Sequence, residues 1–170
     1  MSQLTEFYSE TGPDHEGRYL GDILEMDDEW FETCHDYIQW LFPLTEPSNF
    51  NPDAPIMTQE DIEFLSHPMN YSAICDSVIR FMYFLGMDWD WRTEGSIKYF
   101  SVGDTRKFSN FIPFNHNHLR VTRMLTFLKI IGRANFAQGI LRGIEEGAAI
   151  LNLEINPKSL TYWEEAVNEG

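Results

Sequence analysis

The sequence predicts a mainly α-helical domain, compact over residues 1–170, with about six or seven helices, a proline-rich loop and a small candidate β-hairpin. Three observations carry that reading. Apolar residues recur at three- and four-residue spacing through most of the chain, which places them on one helical face. Proline, glycine and capping residues fall between those stretches rather than inside them. Only residues 87–115 lack the helical period. Apolar residues make up 43% of the 170-residue chain and aromatic residues 15%, so a core can be buried and neither a disordered chain nor a disulfide scaffold is expected.

Residues 1–18 read as a loosely ordered arm, punctuated by Gly12, Pro13 and Gly17. Tyr19 to Glu25 fits a short helix. Asp27 and Asp28 read as the N-cap and first turn of a longer helix running to Phe42, since carboxylates suit a helix N-terminus. Its stripe is Trp30, Cys34, Ile38 and Leu41, widened by Phe31 and Phe42. Pro43 ends it by fixing φ and removing a donor. Residues 43–57 hold four prolines and two asparagines, the composition of a long loop, which Leu44, Phe50, Ile56 and Met57 are expected to pin to the body.

Thr58 is expected to cap a short helix through Leu65, with Asp61 at the third helical position of a capping box. After His67-Pro68 a helix starts at Asn70 or Ser72, buries Ile74, Val78, Met82 and Leu85, and stops at Gly86. Trp89, Trp91, Ile97, Tyr99 and Val102 alternate in part around the turn points Gly95 and Gly103, hence the hairpin. A helix from His116 or Asn117 to Ile131 turns Val121, Met124, Leu125 and Leu128 inward, and Phe136 to Ile150 forms another. Along the latter, Gly139, Gly143 and Gly147 recur every four residues. Each costs about 1 kcal/mol against alanine, so a neighbouring helix is expected to approach that face closely. Asn156-Pro157 opens a last helix with Leu160, Trp163 and Val167 inward.

The formal charge of −15 is unevenly placed. Up to residue 79 there are 17 carboxylates against one arginine, whereas Lys98 to Arg142 carries eight cations against one carboxylate. Complementary folding of the two halves is the expected use of this asymmetry, and no nucleic-acid partner is expected of so acidic a chain. No apolar run reaches the roughly 18 to 20 residues of a membrane span. The start, MSQLTEFYSETG, has neither a basic region nor an apolar one, so no secretory signal is read and a reducing cytoplasm is the expected setting. In it Cys34 and Cys75 should be free, buried thiols, with no disulfide and no structural metal.

Two constellations stand out as candidate ligand-binding residues. On the expected helix to Phe42, His35 and Gln39 share one face and Asp36 and Trp40 the next. They would line a cleft roofed by residues 43–57, or hydrogen-bond that loop's backbone. The His35-Asp36 dipeptide is also found in metal phosphohydrolases. Those sites need a further histidine upstream and an aspartate downstream on neighbouring helices; His15, in the arm, is the only upstream candidate, so no metal is expected. His116 and His118, two apart, should project to opposite sides of a helix. Arg120 and Arg123, three apart, could clamp a carboxylate or phosphate, or pair with internal acids such as Asp22, Asp27, Asp28 or Asp36. No nucleophile-elbow, phosphate-loop, dinucleotide or CxxC motif occurs, so no cofactor is expected.

The string HDYIQWLFPLTEP at 35–47 resembles the "YIQWLFPL-E-P" hallmark of the opioid growth factor receptor family. NHNHLRVTRMLTFLKIIG at 115–132 resembles that family's "NLRITRILKSLGELG" helix, and GRYLGDILEMDDEWFE fits the acidic segment upstream. The resemblance runs from about Phe7 to Trp163, and residues 19–165 are read as the conserved region. It implies a non-enzymatic domain that binds short opioid-like peptides with an N-terminal Tyr and a Phe or Met side chain, with a role in growth regulation. It also implies nuclear or peripheral nuclear-membrane association in relatives, for which this chain carries no Lys/Arg run. Two alternatives stay open on the residues: an enzyme or anion-binding protein acting on a phosphorylated small molecule, and a structural module docking another protein.

Overall fold

Leu4, Phe7 and Tyr8 lie three and four apart, and that spacing winds the first helix, α1 (Gln3–Tyr8), against the rest of its unit. The computed structural model describes residues 1–90, 99–111 and 115–168. It divides into two compact units, residues 1–80 and 81–170, with the division after Arg80. Among the described residues the chain is mainly α-helical, with one small antiparallel sheet, as the apolar periodicity predicts.

In the first unit the expected loose arm is ordered. Ser2 caps α1, all three apolar side chains of that helix are buried, and the Tyr8 hydroxyl donates to the Leu41 carbonyl. The glycines that suggested looseness serve turns instead. A short helix α2 (Leu20–Leu24) follows, opened by a capping box in which Asp22 accepts the Tyr19 amide.

The single helix expected from Asp28 to Phe42 is two. Asp27 caps α3 (Asp28–Thr33), the chain then becomes extended at Cys34, and α4 (Ile38–Leu41) is a single turn. The cause is local competition for hydrogen bonds. The Tyr37 hydroxyl donates to the Phe31 carbonyl at 2.8 Å, the acceptor that the His35 amide would use in a continuous helix. Asp36 is drawn away to Arg18. The aromatic block still forms the centre of this unit: Tyr37, Ile38, Trp40, Leu41 and Phe42 are all buried.

Leu44 and Ile56 close the proline-rich loop by a parallel bridge, and Met57 is buried beneath it while Phe50 stands in solvent. α5 (Gln59–Ser66) has the expected Thr58–Asp61 capping box. Asp61 is itself buried and accepts from Ser2, which ties α5 to the start of α1. A 3-10 turn, Pro68–Asn70, leads into α6 (Tyr71–Phe84), where Ile74 and Val78 are buried as expected.

The second unit begins in the last turn of α6. Gly86, at φ +98°, stops that helix in a conformation that side-chain-bearing residues rarely adopt. β1 (Met87–Trp89) and β2 (Phe100–Val102) form the expected hairpin, pairing Met87 with Val102 and Trp89 with Phe100. Trp91, Gly95 and Ile97 of that expectation lie outside the described residues. A 3-10 segment, Thr105–Phe111, precedes α7 (Asn117–Ile130), α8 (Ala134–Ile150) and α9 (Pro157–Val167).

The glycine face of α8 meets a strand, not the expected helix. A Cβ on Gly143 would lie 2.7 Å from the Phe100 carbonyl oxygen, and one on Gly147 would lie 3.0 Å from both Val102 and Phe108 side chains. α7 packs on α8 and α9, with Trp163 fully buried and its indole donating to the His118 carbonyl at 3.2 Å.

Candidate functional site

The extended link between α3 and α4 delivers Asp36 to a polar cluster on the turn before α2. Asp14 accepts the backbone amides of Glu16 and Arg18, which wraps the turn around its fully buried carboxylate. Arg18 bridges Asp14 at 2.7 Å and Asp36 at 2.9 Å, and its guanidinium lies 5.3 Å from the Trp30 ring. Burial alone would lower the Arg18 pKa, but hydrogen bonds and charge from the two carboxylates outweigh it and hold the pKa above its ordinary value. Burial likewise acts to raise Asp36, yet donation from Cys34 and Arg18, with His15 nearby, takes it below the usual carboxylate range. Cys34, half-buried, donates its thiol to Asp36 at 3.0 Å; burial and that carboxylate push its pKa up. Neither Cys34 nor Cys75 is in a disulfide among the described residues, and each is half-buried rather than deeply buried.

His15 completes the cluster. Its ring lies nearly parallel to that of Trp40, whose indole donates edge-on to Nδ1 at 3.0 Å, while Nε2 stands 3.2 Å from Asp36. One ligand atom from each of His15, Glu16 and Asp36 lies within 4.8 Å of the others, so the upstream histidine that a metal site would need does reach Asp36. The tautomer opposes that use. Indole only donates, so Nδ1 must offer its lone pair and Nε2 must carry the hydrogen. A cation on Nε2 would need that second lone pair and would set two N–H groups against each other at Trp40.

The sequence-derived candidates therefore separate. Asp36 and Trp40 meet through His15, whereas His35 is exposed and Gln39 is buried. They no longer share a helix face, because His35 lies in the extended link and Gln39 in α4. The Gln39 side-chain oxygen has no hydrogen-bond partner among the described residues.

In the second unit, Arg120 is buried and donates to the Asn117 side chain at 3.3 Å, within a network in which Asn117 also bonds Asn110. Arg123 is half-buried, and burial lowers its pKa. A different part of α7 borders a groove of about 610 Å³. His116, Leu119 and Thr122 form one wall, with Asn115 and His118 beside them; Asn156, Lys158, Ser159 and Tyr162 of α9 and its cap form the other. Leu119 is 61% exposed and Tyr162 48% exposed. Thus His116 and His118, expected on opposite sides, line the same groove.

His118 links the two walls: Nδ1 lies 2.8 Å from the Ser159 hydroxyl. Its Nε2 is buried beside the backbone of Asn110 and Phe111 without a hydrogen-bond partner among the described residues, and burial lowers the ring's pKa. The bridging hydrogen belongs to Ser159 in one imidazole tautomer and to His118 in the other. In either case the Ser159 oxygen keeps a lone pair for a guest. Sequence reasoning did not find this groove. The available signals were Leu119, an apolar residue on the polar side of its helix, and the Asn-Pro-Lys-Ser start of α9.

The sheet-poor helical fold and its α7–α9 groove define a small helical module with a preformed recess. Residues 5–169 match the model of the opioid growth factor receptor conserved region. The chain is 30% identical over 130 residues to the human opioid growth factor receptor, covering 74% of this chain and 19% of that protein. It is 28% identical over 160 residues to rat opioid growth factor receptor-like protein 1, covering 87% of this chain and 32% of the relative. The Xenopus tropicalis opioid growth factor receptor-like protein 1 is 31% identical over 137 residues, 78% of this chain and 25% of the relative. This chain belongs to the opioid growth factor receptor conserved-region family. It spans from about a fifth to a third of the length of these curated relatives. No solved structure matches it. Among the described residues, no helix is long and apolar enough to cross a membrane.

Proposed function

We propose that this chain is a non-enzymatic binding domain whose α7–α9 groove takes a short peptide or a segment of a protein partner. The groove carries the reading. Its volume of about 610 Å³ suits a few side chains, its walls present exposed Leu119 and Tyr162, and a few polar groups converge beside them. That combination of apolar walls with sparse, fixed polar groups is what ligand pockets share. The family name adds the ligand class: the human relative is called a receptor for an opioid growth factor, and opioid-like peptides with an N-terminal Tyr and a Phe or Met side chain are the first to try. A role in growth regulation, and the cytoplasmic setting, belong to the same proposal.

The test is an NMR titration of the isotope-labelled chain with such a peptide. Binding at the groove shifts the amides of residues 115–122 and 156–162 and is lost in Leu119→Asp. Shifts centred on His15, Asp36 and Trp40 instead would move the site to the first unit and defeat the assignment.

A further inference from the structure

We infer that the groove between α7 and α9 receives the carboxyl-terminal residue of a peptide, held by its free carboxylate, its amide N–H and an apolar side chain; this rests on the groove being the binding site. Charge comes first. The chain is strongly acidic at −15, yet among the described residues no carboxylate lines this groove, while Lys158 does. α7 and α9 both begin there, so the positive ends of two helix dipoles add to the same sign. The recess is therefore a locally electropositive spot on an acidic protein, and an anionic group is what complements it.

The second requirement comes from Ser159. Its hydroxyl oxygen, 2.8 Å from His118 Nδ1, keeps a lone pair for a guest's N–H whichever of the two groups carries the bridging hydrogen. Inorganic phosphate can meet that lone pair with its own O–H but brings no apolar side chain. The third comes from Leu119 and Tyr162, which leave apolar surface in water and call for an apolar side chain. A carboxylate, an N–H and an apolar side chain on one carbon are the parts of a peptide's last residue. An internal acidic residue would carry its charge on the side chain that the apolar wall must receive.

The probes are N-acetyl-L-phenylalanine and N-acetyl-L-phenylalaninamide, titrated separately into the labelled full chain and followed by NMR. The acid is expected to bind about fivefold or more tightly than the amide, a gain of the size that one solvated ion pair gives. Lys158→Glu should abolish that preference, and raised salt should shrink it. If acid and amide bind equally, with Leu119→Asp removing both, the groove is the site but the carboxylate assignment falls. If neither probe shifts residues 115–122 or 156–162, the groove reading falls with it. A phosphate titration that displaces the acid while the amide stays bound would support the anion subsite; phosphate binding tighter than the acid would overturn the peptide-end assignment.

Discussion

Asp14 shows what a single side chain costs to keep charged in a folded protein. Its carboxylate is fully buried and held by two backbone amides and by Arg18. Removing the guanidinium leaves that charge uncompensated, so Arg18→Gln should cost about 3 to 5 kcal/mol in urea unfolding. Arg18→Lys should restore only part of it, because one ammonium cannot reach Asp14 and Asp36 in the same planar geometry. A loss below about 1 kcal/mol, the worth of a surface pair, would show the bridge to be solvated. His118 makes a pH prediction. Its folded pKa lies below its ordinary value because burial disfavours the cation. The unfolded chain therefore binds that proton first as pH falls, and stability drops as pH descends through the ordinary histidine value of about 6.5. The drop levels off below the folded pKa. Asp36 does not contribute there, since its folded pKa is itself below the carboxylate range and its stabilisation is lost only at more acid pH. His118→Gln should flatten the stability profile between about pH 7 and pH 5, as urea midpoints at each pH would show.

At the scale of elements, the helices with complete local signals were legible in the sequence. Thr58 and Asp61 mark the start of α5, Gly86 marks the end of α6, and Asn156-Pro157 opens α9, because each acts on neighbours within one turn. The break between α3 and α4 was not legible, since the partner that produces it, the Tyr37 hydroxyl at the Phe31 carbonyl, follows an unbroken apolar stripe. α1 was hidden for the opposite reason: its burial depends on distant residues such as Leu41 and Asp61. The candidate site follows the same rule. Asp36 and Trp40 were legible as polar and aromatic residues in one block, but His15, which joins them, lies 25 positions from Trp40. The α7–α9 groove needs two helices to exist at all. The glycines of α8 predicted a close approach without saying by what. A Gly143→Ala change would ordinarily gain about 1 kcal/mol in a helix interior. Here the new methyl meets the Phe100 carbonyl at 2.7 Å, backbone that cannot swing aside, so a net loss of about 1 to 3 kcal/mol is expected in thermal or urea unfolding. A stabilised mutant would mean that β2 yields easily.

For the whole molecule, charge is the property with the widest reach. Of 27 carboxylates and 12 lysines and arginines, 17 and two respectively fall at or before Arg80, which leaves ten of each beyond it. The net charge of the chain thus resides in the first unit, and the second is balanced. Most first-unit carboxylates, such as Glu25, Asp27, Glu29 and Glu60, are exposed, and their mutual repulsion acts through solvent. Such repulsion extends over about 10 Å at 0.1 M salt and shortens as salt is added. The favourable pairs lie closer and drier: Arg18 with Asp14, and Arg80 with Asp28 at 3.0 Å beneath a guanidinium stacked 4.1 Å from the Phe31 ring. Salt therefore weakens the repulsion more than the attraction. Raising sodium chloride from about 0.02 M to about 0.5 M should increase the melting temperature. Neutralising Glu29 and Glu60 to Gln should raise the low-salt melting temperature and reduce the gain from salt. A melting temperature that falls with salt would mean that the first unit depends on its ion pairs more than it suffers from its excess of carboxylates.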